Sequence, residues 1–340
     1  MDWFEHLTGF REDDYASTRA KLSVEGDRLR SLVNGQSYGI GRLDLPSLED
    51  LRLQARFGIR VPGSRIIRLV EGDVGSLHQQ SEYAGALFQV ASQFNMLEMI
   101  GPSITPEHGV TGYAHDRTQG PACAIAAGAA TIYRNYFVPA AGQAGQTQDR
   151  QLNGFADLGA ALARALGRPA GDIVRMRNGY AMFDRSTVDA VSAHIRSLGL
   201  EARDELRRKL RIGIHWDVEV TAADGLPRLV VSQAFCSALP VSYNDDRTTA
   251  GADWEPFAGL LLEAAYETTL WAAVVNAQRG KSHVVLLTLL GGGVFGNLEP
   301  WILAAMKRAI DAVGDQGLEI VIVSYKSPSP ALWGLVRSKN

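Results

Sequence analysis

The sequence contains little cysteine, little net charge and no long uninterrupted apolar run. Its two cysteines, Cys123 and Cys236, cannot form the disulfide framework of a small secreted domain, which favours a reducing compartment. The 34 basic and 37 acidic residues nearly balance, so the net charge of −3 gives no electrostatic basis for binding nucleic acid. No apolar run approaches the ~20 residues of a membrane-spanning helix, and no charged-then-apolar leader opens the chain. We therefore expect a cytoplasmic protein without nucleic-acid or membrane partners; a bacterial effector exported by a route that leaves no such leader stays open.

Neither the histidines nor the dense basic run indicates a site. His108 and His115 share a loop but have no partner at the spacing of zinc ligands. The run RRKLR at 207–211 follows acidic residues in EARDELRRKLR, an order typical of a solvated helix face. We expect no metal and no cofactor.

Strands and helices alternate along most of the chain. Hydrophobic residues make up 46% of the sequence, enough for a sizeable core in one large domain or two ordinary ones. The strand-like segments are RIIRLV (65–70), GALFQVA (85–91), LRIGIHWDVEVT with RLVVSQAF, HVVLLTLL (283–290) and LEIVIVSY (318–325). Helices are predicted at about 121–136, 153–166, 186–198, 257–275 and 299–313. The last strands are continuous apolar runs, so this pattern predicts an α/β sheet covered on both faces.

Two further segments have a distinctive composition. The first 60 residues are predicted to be helical, because Leu22, Leu29 and Leu32 have roughly helical spacing and Ser47 with Asp50 fits a capping box. The Gly- and Gln-rich segment VPAAGQAGQTQDRQ (138–151) is interpreted as a mobile connecting loop.

Three consecutive glycines, residues 291–293, separate HVVLLTLL from a predicted helix. Ordering them is costly, because glycine loses more backbone entropy on folding than any other residue. In an open α/β sheet, ligands lie beyond the carboxyl ends of the strands, where unpaired N–H groups of helix N-termini suit phosphate. The segments GGGVFGNLEP and TQGPACA fit this description. The loop alone is equally compatible with a pyrophosphate cradle, in which Phe295 forms a sugar wall, and with a tight strand–helix turn.

Several segments, taken in order, resemble the macrodomain superfamily. RLVEGDVGSL and LFQVASQFN are similar to its opening strands, and EAAYETTLWAA with HVVLLTLLGGGVFGN is similar to its later helix, strand and phosphate loop. The resemblance covers roughly residues 65–325 in element order. It implies a three-layer α/β/α fold with a mixed sheet. Residues 61–340 would form the macrodomain-like domain, with an N-terminal helical extension over 1–60 and a helical insertion at about 138–200.

The resemblance implies a binding site for ADP-ribose. Asp73 would accept a hydrogen bond from the adenine amino group, and Asn95 would lie near the distal ribose. Residues 291–294 would wrap the diphosphate, and residues 295–297 would line the distal ribose pocket. The full set implied to bind the ligand is Asp73, Val74, Val90, Asn95, Gln119, Gly120, Gly291, Gly292, Gly293, Val294, Phe295, Gly296 and Asn297. Taken alone, Asp73 also fits a turn carboxylate and Asn95 a strand-end hydrogen-bonding residue.

The common pattern of hydrolytic macrodomains does not identify a catalytic carboxylate in this sequence. In that pattern an acid lies in a Gly-rich loop before the first long helix, whereas QGPACA contains no acid. Asp116 lies just upstream, and the loop SYNDDRTTAGADWEP adds Asp245, Asp246 and Asp253. These four candidates could orient the ribose, activate water or stabilise positive charge at the anomeric carbon; a solvated acidic loop is the alternative. Glu98 is a weaker candidate, which otherwise fits a helix surface residue.

The pattern also resembles the MavL-type branch of bacterial-effector macrodomain hydrolases. This branch implies an ADP-ribosylhydrolase that uses aspartates to remove ADP-ribose from arginine side chains, including those of ubiquitin. The partner would then be ADP-ribose or an ADP-ribosylated protein.

Two other functions stay open. The first is a non-catalytic ADP-ribose reader. The second is a cysteine-dependent hydrolase, in which Cys123 near a helix N-terminus is the nucleophile, Gln119 forms the oxyanion hole, and His215 or His283 is the base. The spacing between Gln119 and Cys123 does not fit papain-like enzymes, so a small buried cysteine is the favoured interpretation.

Overall fold

The fold is built from strands and helices that alternate along the chain. The computed structural model describes residues 1–59, 63–223, 225, 227–244 and 253–339. Within these residues the strands are β1 (Leu22–Glu25), β2 (Arg28–Ser31), β3 (Ser37–Gly39), β4 (Arg42–Asp44), β5 (Ile66–Glu71), β6 (Leu87–Ala91), β7 (Pro139–Ala140), β8 (Gln143–Ala144), β9 (Arg175–Arg177), β10 (Tyr180–Met182), β11 (Gly213–Glu219), β12 (Val230–Cys236), β13 (Val284–Thr288) and β14 (Glu319–Ser324). The α-helices are α1 (Trp3–Thr8), α2 (Tyr15–Ala20), α3 (Leu48–Phe57), α4 (Val74–Leu77), α5 (Gln119–Ala126), α6 (Gly128–Tyr136), α7 (Ala156–Leu166), α8 (Arg185–Ser197), α9 (Leu200–Arg207), α10 (Val241–Asn244), α11 (Glu255–Gln278), α12 (Glu299–Val313) and α13 (Pro330–Arg337).

A mixed sheet of seven described strands forms the centre, in the order β4-β11-β12-β6-β13-β14-β5. The strands β4, β11 and β12 pair antiparallel, and every pairing from β12 through β6, β13 and β14 to β5 is parallel. All residues of β13 are buried, as expected for a parallel strand with helices on both faces.

Helices cover both faces of this sheet. On one face, Val74 of α4 and Cys123 of α5 pack with Phe88 and Val90 of β6. On the other face, α3, α8, α11 and α12 bury Leu51, Val191, Leu270 and Met306 in the main core. The expected three-layer α/β/α arrangement with a mixed sheet is therefore confirmed.

Helix α11 is the central helix of the second face. By length and composition it could cross a membrane, contrary to the expectation from sequence, but 83% of its most apolar window is buried inside the fold. The hydroxyl of Tyr266 donates to the carbonyl of Thr288 at 2.6 Å and accepts from the N–H of Leu290 at 2.9 Å. These bonds tie α11 to the end of β13, as expected of a core helix.

The prediction of a helical N-terminal segment is wrong in part. The capping box of Ser47 and Asp50 is present and starts α3, and the short helices α1 and α2 precede it, but the part between α2 and α3 forms the strands β1 to β4. Leu22 and Leu29 are buried in the small sheet of β1, β2 and β3 rather than along one helix. Gly26 has a φ of +62°, which turns β1 into β2 and interrupts any helix.

The predicted Ala-rich helix is two helices, because the chain after β11 hydrogen-bonds to the break between them. The N–H of Thr221 donates to the carbonyl of Ala126 at 2.8 Å, and the Thr221 hydroxyl accepts from the N–H of Gly128 at 2.8 Å. Ala127 at the junction has φ −116° and ψ 58°, which is not helical. This external partner satisfies backbone groups that an α-helix would otherwise pair internally.

The segment over 138–151 is not a free connector. Its short strands β7 and β8 form a hairpin, and the buried side chain of Gln146 follows them. Gln146 Nε2 donates to the carbonyls of Asn95 and Arg134, both at 3.1 Å. A buried glutamine with two backbone acceptors fixes this segment against α6 and the loop after β6.

The basic run at 207–211 is also not simply a solvated face. Arg207 is buried, with its Nη1 2.8 Å from Glu263 of α11. Arg208 pairs with Asp204 at 2.9 Å, and Arg52 of α3 bridges Asp204 and the buried Glu267. Acid–base pairs therefore hold α3, α9 and α11 together.

Candidate functional site

A cavity of about 480 Å³ opens at the carboxyl ends of β6, β12, β13 and β14. The strands β6 and β13 pair only at Leu87–Val285 and Phe88–Leu286. Beyond that point the Gln89 side chain accepts from the backbone N–H of Thr288 at 3.2 Å, so the strands separate. Helix α5 follows β6 on one face, and α12 follows β13 on the other. A crevice between such strands is the usual ligand site of an open α/β sheet.

The glycine loop after β13 forms one wall of this cavity. Gly291 has a φ of +75°, and a Cβ there would lie 2.5 Å from the Cβ of Ala238. The N–H of Asn297 donates to the Gly291 carbonyl at 2.9 Å, and Asn297 Nδ2 donates to Leu239 at 2.8 Å. The loop is therefore closed on itself and fixed to the segment after β12.

The middle of the loop presents its backbone to the cavity. Gly293 and Val294 are exposed, and a Cβ at Gly293 would meet no heavy atom within 4 Å. No described residue accepts a hydrogen bond from the N–H groups of Gly293, Val294 or Phe295. Consecutive unpaired N–H groups of this kind suit an anionic oxygen.

Aromatic side chains form the neighbouring wall. The ring centroids of Phe295 and Tyr180 lie 5.6 Å apart, and those of Tyr180 and Tyr243 lie 5.0 Å apart. The Tyr180 hydroxyl donates to the Met99 carbonyl at 2.7 Å, which fixes its ring. Tyr180 belongs to β10, so the segment between α7 and α8 contributes directly to the cavity.

The N-terminus of α5 forms the opposite wall, and Gly120 allows its close approach. A Cβ at Gly120 would collide with the carbonyl oxygen of Ala91 and lie 3.6 Å from Glu98 Cγ. Gln119 Nε2 donates to Asp73 Oδ2 at 3.0 Å, and Gln119 Oε1 accepts from the N–H of Val74 at 2.8 Å. Burial alone would raise the pKa of Asp73, but hydrogen bonds from Gln119 and Ser76 outweigh it and lower this pKa. Asp73 is therefore ionised at neutral pH.

Glu98 lines the cavity beneath α5 with a side chain only 1% exposed. Its Oε1 lies 3.5 Å from Nη2 of the fully buried Arg134, and its Oε2 has no hydrogen-bond partner among the described residues. Burial raises the pKa of Glu98 to about 7, although the charge of Arg134 opposes this shift. The sequence interpretation of Glu98 as a helix surface residue is wrong, because it follows β6 in a buried loop outside any helix.

Charged side chains surround the cavity mouth. Asp116 Oδ1 accepts from the N–H of Thr118 at 2.8 Å, and Glu299 accepts from the Ser329 hydroxyl. Arg117 and Lys326 are exposed cavity-lining cations with no ion-pair partner among the described residues. The mouth therefore offers both cations for an anionic ligand and carboxylates for a cationic group.

The structure brings together most of the residues implied to bind the ligand. Those that line the cavity are Gln119, Gly120, Gly291, Gly292, Gly293, Val294, Phe295 and Asn297. Asp73 is not among the lining residues, but it is hydrogen-bonded to Gln119, which is. Val74 and Val90 are buried in the core beside the site, and Gly296 lies in the glycine loop with a φ of +73°. Asn95 is buried and donates through Nδ2 to Gln151 at 2.9 Å instead of lining the cavity. The ligand-binding roles of these residues stay predictions.

Of the four candidate aspartates, Asp116 lines the cavity. The Asp253 carboxylate pairs with Arg196 of α8, and the Asp253 backbone carbonyl accepts from Ser192 at 2.6 Å, so its side chain is directed to α8 and does not line the cavity. Asp245 and Asp246 lie outside the described residues. Their catalytic roles stay predictions.

Cys123 has no environment for thiol catalysis. It is fully buried, and burial raises the pKa of its thiol well above the ordinary value. His215 is buried with a pKa well below its ordinary value, because burial and the charge of Arg134 both disfavour its protonation. His283 is exposed one residue before β13, at the opposite end of the sheet from the cavity. The favoured interpretation of Cys123 as a small core residue is confirmed.

Several cavity residues were missed from sequence. They are Arg117, Tyr180, Tyr243, Tyr325 and Lys326. Tyr325 and Lys326 directly follow the strand LEIVIVSY, so the rule that ligands lie at strand carboxyl ends could have found them. Tyr180 begins the second strand of the β9–β10 hairpin, and the Asn178-Gly179 turn of this hairpin, with both residues at positive φ, is a sequence signal that could have found it. No group of three or more His, Cys, Asp or Glu residues in the described part of the chain could hold a metal ion.

No protein-family model and no curated protein matches the chain. Among solved structures it is similar to the poly(ADP-ribose) glycohydrolase from Deinococcus radiodurans in complex with ADP-ribose, with 13% identity over 97% of this chain and 98% of that chain and a TM-score of 0.46. It is also similar to the poly(ADP-ribose) glycohydrolase from Thermomonospora curvata, with 12% identity over 92% and 94% of the two chains and a TM-score of 0.45. Each identity is far below 25% and each TM-score is below 0.5, so the ADP-ribose of the first complex is a property of that protein.

Proposed function

We propose that this protein binds ADP-ribose and hydrolyses the bond between ADP-ribose and modified protein side chains, with arginine-linked ADP-ribose as its substrate. One observation carries the proposal. The glycine loop with unpaired N–H groups and the buried, incompletely paired carboxyl of Glu98 line the same cavity. A cradle for phosphate and an acid for glycosidic chemistry are the two components that such an enzyme needs.

The cavity walls suit a diphosphate between two sugars. The N–H groups of residues 293–295 and the N-terminus of α5 would contact the diphosphate from both sides, and the cations Arg117 and Lys326 at the mouth add charge. Phe295 with Tyr180 would pack against the distal ribose, where an aromatic face excludes water. Asp73 is ionised and keeps lone pairs beyond its bonds to Ser76 and Gln119, so it can accept a hydrogen bond from the adenine amino group.

Arginine linkage is supported by the acids around the cavity. A guanidinium attached to ribose carries a positive charge, which carboxylates such as Asp116 and Glu299 attract. When the C–N bond breaks, its electron pair moves to nitrogen, and positive charge develops at the anomeric carbon until water adds. Asp245, Asp246 and Asp253 remain proposed contributors to this step, together with Asp116. The resemblance to the MavL-type branch suggests ubiquitin as one protein that carries the modified arginine, and we propose the cytoplasm as the place of action.

Binding and hydrolysis are tested separately. Calorimetric titration with ADP-ribose should give saturable binding that raises the melting temperature. The protein is then incubated with peptides that carry ADP-ribose on arginine, glutamate or serine, and with ubiquitin modified on arginine. Release of free ADP-ribose from the arginine substrates is expected. Absence of ADP-ribose binding would overturn the whole proposal, and release from another linkage only would overturn the arginine assignment.

The aspartates are compared by single Asp→Asn substitutions at positions 116, 245, 246 and 253. A catalytic aspartate should lose hydrolysis and keep ADP-ribose binding. If the wild type binds ADP-ribose and hydrolyses none of the substrates, the protein is a reader and not a hydrolase.

A further inference from the structure

Glu98 is a buried acid whose bonding is incomplete. Its Oε2 has no partner among the described residues, although the side chain is almost completely buried and lines the cavity. Burying a polar oxygen without a partner costs free energy, so such groups in native proteins need an explanation. A ligand in the cavity supplies one, because it can take the free oxygen as a hydrogen-bond acceptor.

The groups around Glu98 come from α5, α6, β11 and the segment just before α5, which contains Tyr113. Nη2 of Arg134 on α6 lies 3.5 Å from Oε1, and Tyr113 accepts from the Glu98 backbone N–H at 3.2 Å. Cys123 of α5 interacts with Glu98 electrostatically, and His215 of β11 lies behind Arg134, 3.3 Å from Nη1. Arg134 is the only one of these groups that carries a charge at neutral pH, because burial keeps the pKa of Tyr113 and of Cys123 high and that of His215 low.

Arg134 is held independently of Glu98. Its Nε donates to the Met96 carbonyl at 3.0 Å, its Nη2 donates to the Thr131 hydroxyl at 3.0 Å, and its guanidinium lies 3.8 Å from the ring centroid of Phe235. Arg134 therefore stays in place whether Glu98 is neutral or ionised. It provides a fixed positive charge beside a carboxyl that can exchange a proton with the cavity.

We propose that Glu98 is a catalytic residue of the hydrolysis, serving first as the general base and then as the general acid; this rests on the proposed function. The bond between the anomeric carbon and the guanidinium nitrogen breaks, and its electron pair stays on nitrogen as neutral guanidine. Water forms the new C–O bond, and its proton passes to the Glu98 carboxylate. Glu98 then gives this proton to the guanidine, which restores the arginine cation and the ionised Glu98. The products are ADP-ribose and arginine, and no further reactant is needed.

The position of Glu98 agrees with this role. It lies against Gly120 at the N-terminus of α5, where the helix amides would hold the diphosphate. Because Glu98 packs directly against the residue that would contact the diphosphate, its carboxyl would lie close to the ribose attached to that diphosphate. Its pKa of about 7 suits a group that must both accept and return a proton near neutral pH.

The test uses the full chain with Glu98→Gln, which keeps the shape of the side chain, and the exposed Glu205→Gln on α9 as a matched control. On an ADP-ribosyl-arginine peptide, we expect kcat of Glu98→Gln to fall by about 100-fold or more, with the affinity for ADP-ribose unchanged. The wild-type kcat should rise with pH to a plateau with a midpoint near 7, and this limb should be absent in Glu98→Gln.

A second measurement does not depend on turnover. A pyrrolidinium analogue of ADP-ribose carries positive charge at the ring that reacts, and a facing carboxylate should bind it more tightly than ADP-ribose. We expect the ratio of the affinity for the analogue to that for ADP-ribose to fall about tenfold in Glu98→Gln, which equals about 1.4 kcal/mol, and to stay unchanged in Glu205→Gln. This result distinguishes a carboxylate at the reacting centre from one that only shapes the cavity.

The outcomes separate the two proposals. If the wild type hydrolyses the peptide and Glu98→Gln matches its kcat and pH profile, the role of Glu98 is overturned and the hydrolase stands. Loss of ADP-ribose binding in Glu98→Gln would show a structural role instead and would also overturn it. If the wild type binds ADP-ribose but hydrolyses no linkage, the proposed function fails, and the catalytic role fails with it. Should Glu98→Gln not fold, Glu98→Asp replaces it; a lower kcat with the pH limb retained is expected, and an unchanged kcat would count against the proposal.

Discussion

Gln89 of β6 accepts a hydrogen bond from the backbone N–H of Thr288 in β13 at 3.2 Å, at the position where the two parallel strands stop pairing. A side chain thus replaces a backbone carbonyl in the ladder. The strands can separate and open the cavity without leaving this buried N–H unpaired. The same amide reaches Thr269 of α11 through Nε2 at 3.3 Å, so helix and crevice are connected.

Replacing Gln89 with Leu should therefore destabilise the site more than the rest of the fold. The Thr288 N–H loses its acceptor, which costs about 1–3 kcal/mol in the free energy of unfolding. Urea denaturation measures this loss, and titration with ADP-ribose should show weaker binding. Gln148→Leu, at an exposed glutamine in the 138–151 segment, is the control for replacing a side-chain amide with leucine. A Gln89→Leu variant with wild-type stability would show that this hydrogen bond does not hold the crevice open.

The glycines of the loop should respond differently to the same substitution. Gly291→Ala forces an L-residue to a φ of +75° and places its Cβ 2.5 Å from Ala238, so we expect a loss of about 1–3 kcal/mol in stability. Gly293→Ala meets no neighbouring atom, so it should fold normally and weaken only ADP-ribose binding. Thermal unfolding and calorimetry on both variants separate the two effects. Equal losses of stability would contradict this division within the loop.

The N-terminal segment should contribute to the order of the loop that leads to Asp116. The Glu12 carboxylate accepts from the N–H groups of Val110 at 2.8 Å and Thr111 at 2.6 Å, and from the Tyr136 hydroxyl at 2.8 Å. Glu12→Ala leaves these donors without an acceptor, so we expect stability to fall by about 2–4 kcal/mol. Hydrogen exchange of the Val110 and Thr111 amides should accelerate.

The neighbouring Asp13→Ala is the control for Glu12→Ala. Unchanged exchange at both amides in Glu12→Ala would mean that the N-terminal segment does not hold this loop.

Tyr180 should matter through its ring more than its hydroxyl. Tyr180→Phe loses the hydrogen bond that the hydroxyl donates to Met99 and the one that it accepts from Gln93, a cost of about 1–2 kcal/mol in stability, and keeps the wall beside Phe295. Tyr180→Ala removes that wall, and we expect ADP-ribose binding to weaken by about tenfold, or about 1.4 kcal/mol. Calorimetric titration of both variants decides the point. Binding by Tyr180→Ala that equals that of Tyr180→Phe would exclude the Tyr180 ring from the ligand site.

The stability of the wild type should depend on pH through Glu98. Its pKa is raised from 4.5 to about 7 on folding, so the carboxyl is neutral in both states at low pH and carries no penalty there. Between pH 4.5 and about 7 the carboxyl is ionised in the unfolded chain but still protonated in the folded protein. The free energy of unfolding therefore falls by up to roughly 3 kcal/mol as pH rises to about 7. We therefore expect Glu98→Gln to gain stability relative to the wild type across this window, measured by chemical denaturation at pH 4.5, 6 and 8. A difference that is constant with pH would show that Glu98 is ionised when buried.

The alternation of apolar strands and helices was sufficient to predict the layered architecture. Strands that are apolar on both faces, such as β13 and β14, are shielded from water only when helices cover both sides of the sheet. Ser47 and Asp50 likewise predicted a helix start, because a capping box is complete within four residues of chain. The place of the glycine loop after a strand was equally compatible with a ligand wall and a tight turn, and the resemblance to macrodomains favoured the ligand wall.

The sequence could not predict features that depend on contacts between distant segments. Thr221 hydrogen-bonds to the break in the Ala-rich helix from 221 − 126 = 95 positions away, and the ring of Tyr180 packs beside that of Phe295, which follows it by 295 − 180 = 115 positions. Local periodicity contains no information on such partners. The spacing of the N-terminal leucines also fits one face of a helix. Gly26 and Gly35 turn the chain there at positive φ, and the leucine spacing gives no sign of these turns.

Sequence by itself thus determined the alternation of strands and helices after about residue 60, the two-sided burial of the sheet and the glycine loop at a strand end, since each depends on neighbours within a few residues. Only the tertiary structure decided that Glu98 is buried in the wall of the cavity. Glu98 follows Asn95 by 98 − 95 = 3 residues, at a position expected on a helix surface. It is instead buried beside Arg134 and packs against Gly120. Its proton affinity is set by the loss of water around it, and that desolvation exists only when all the packed elements are in place.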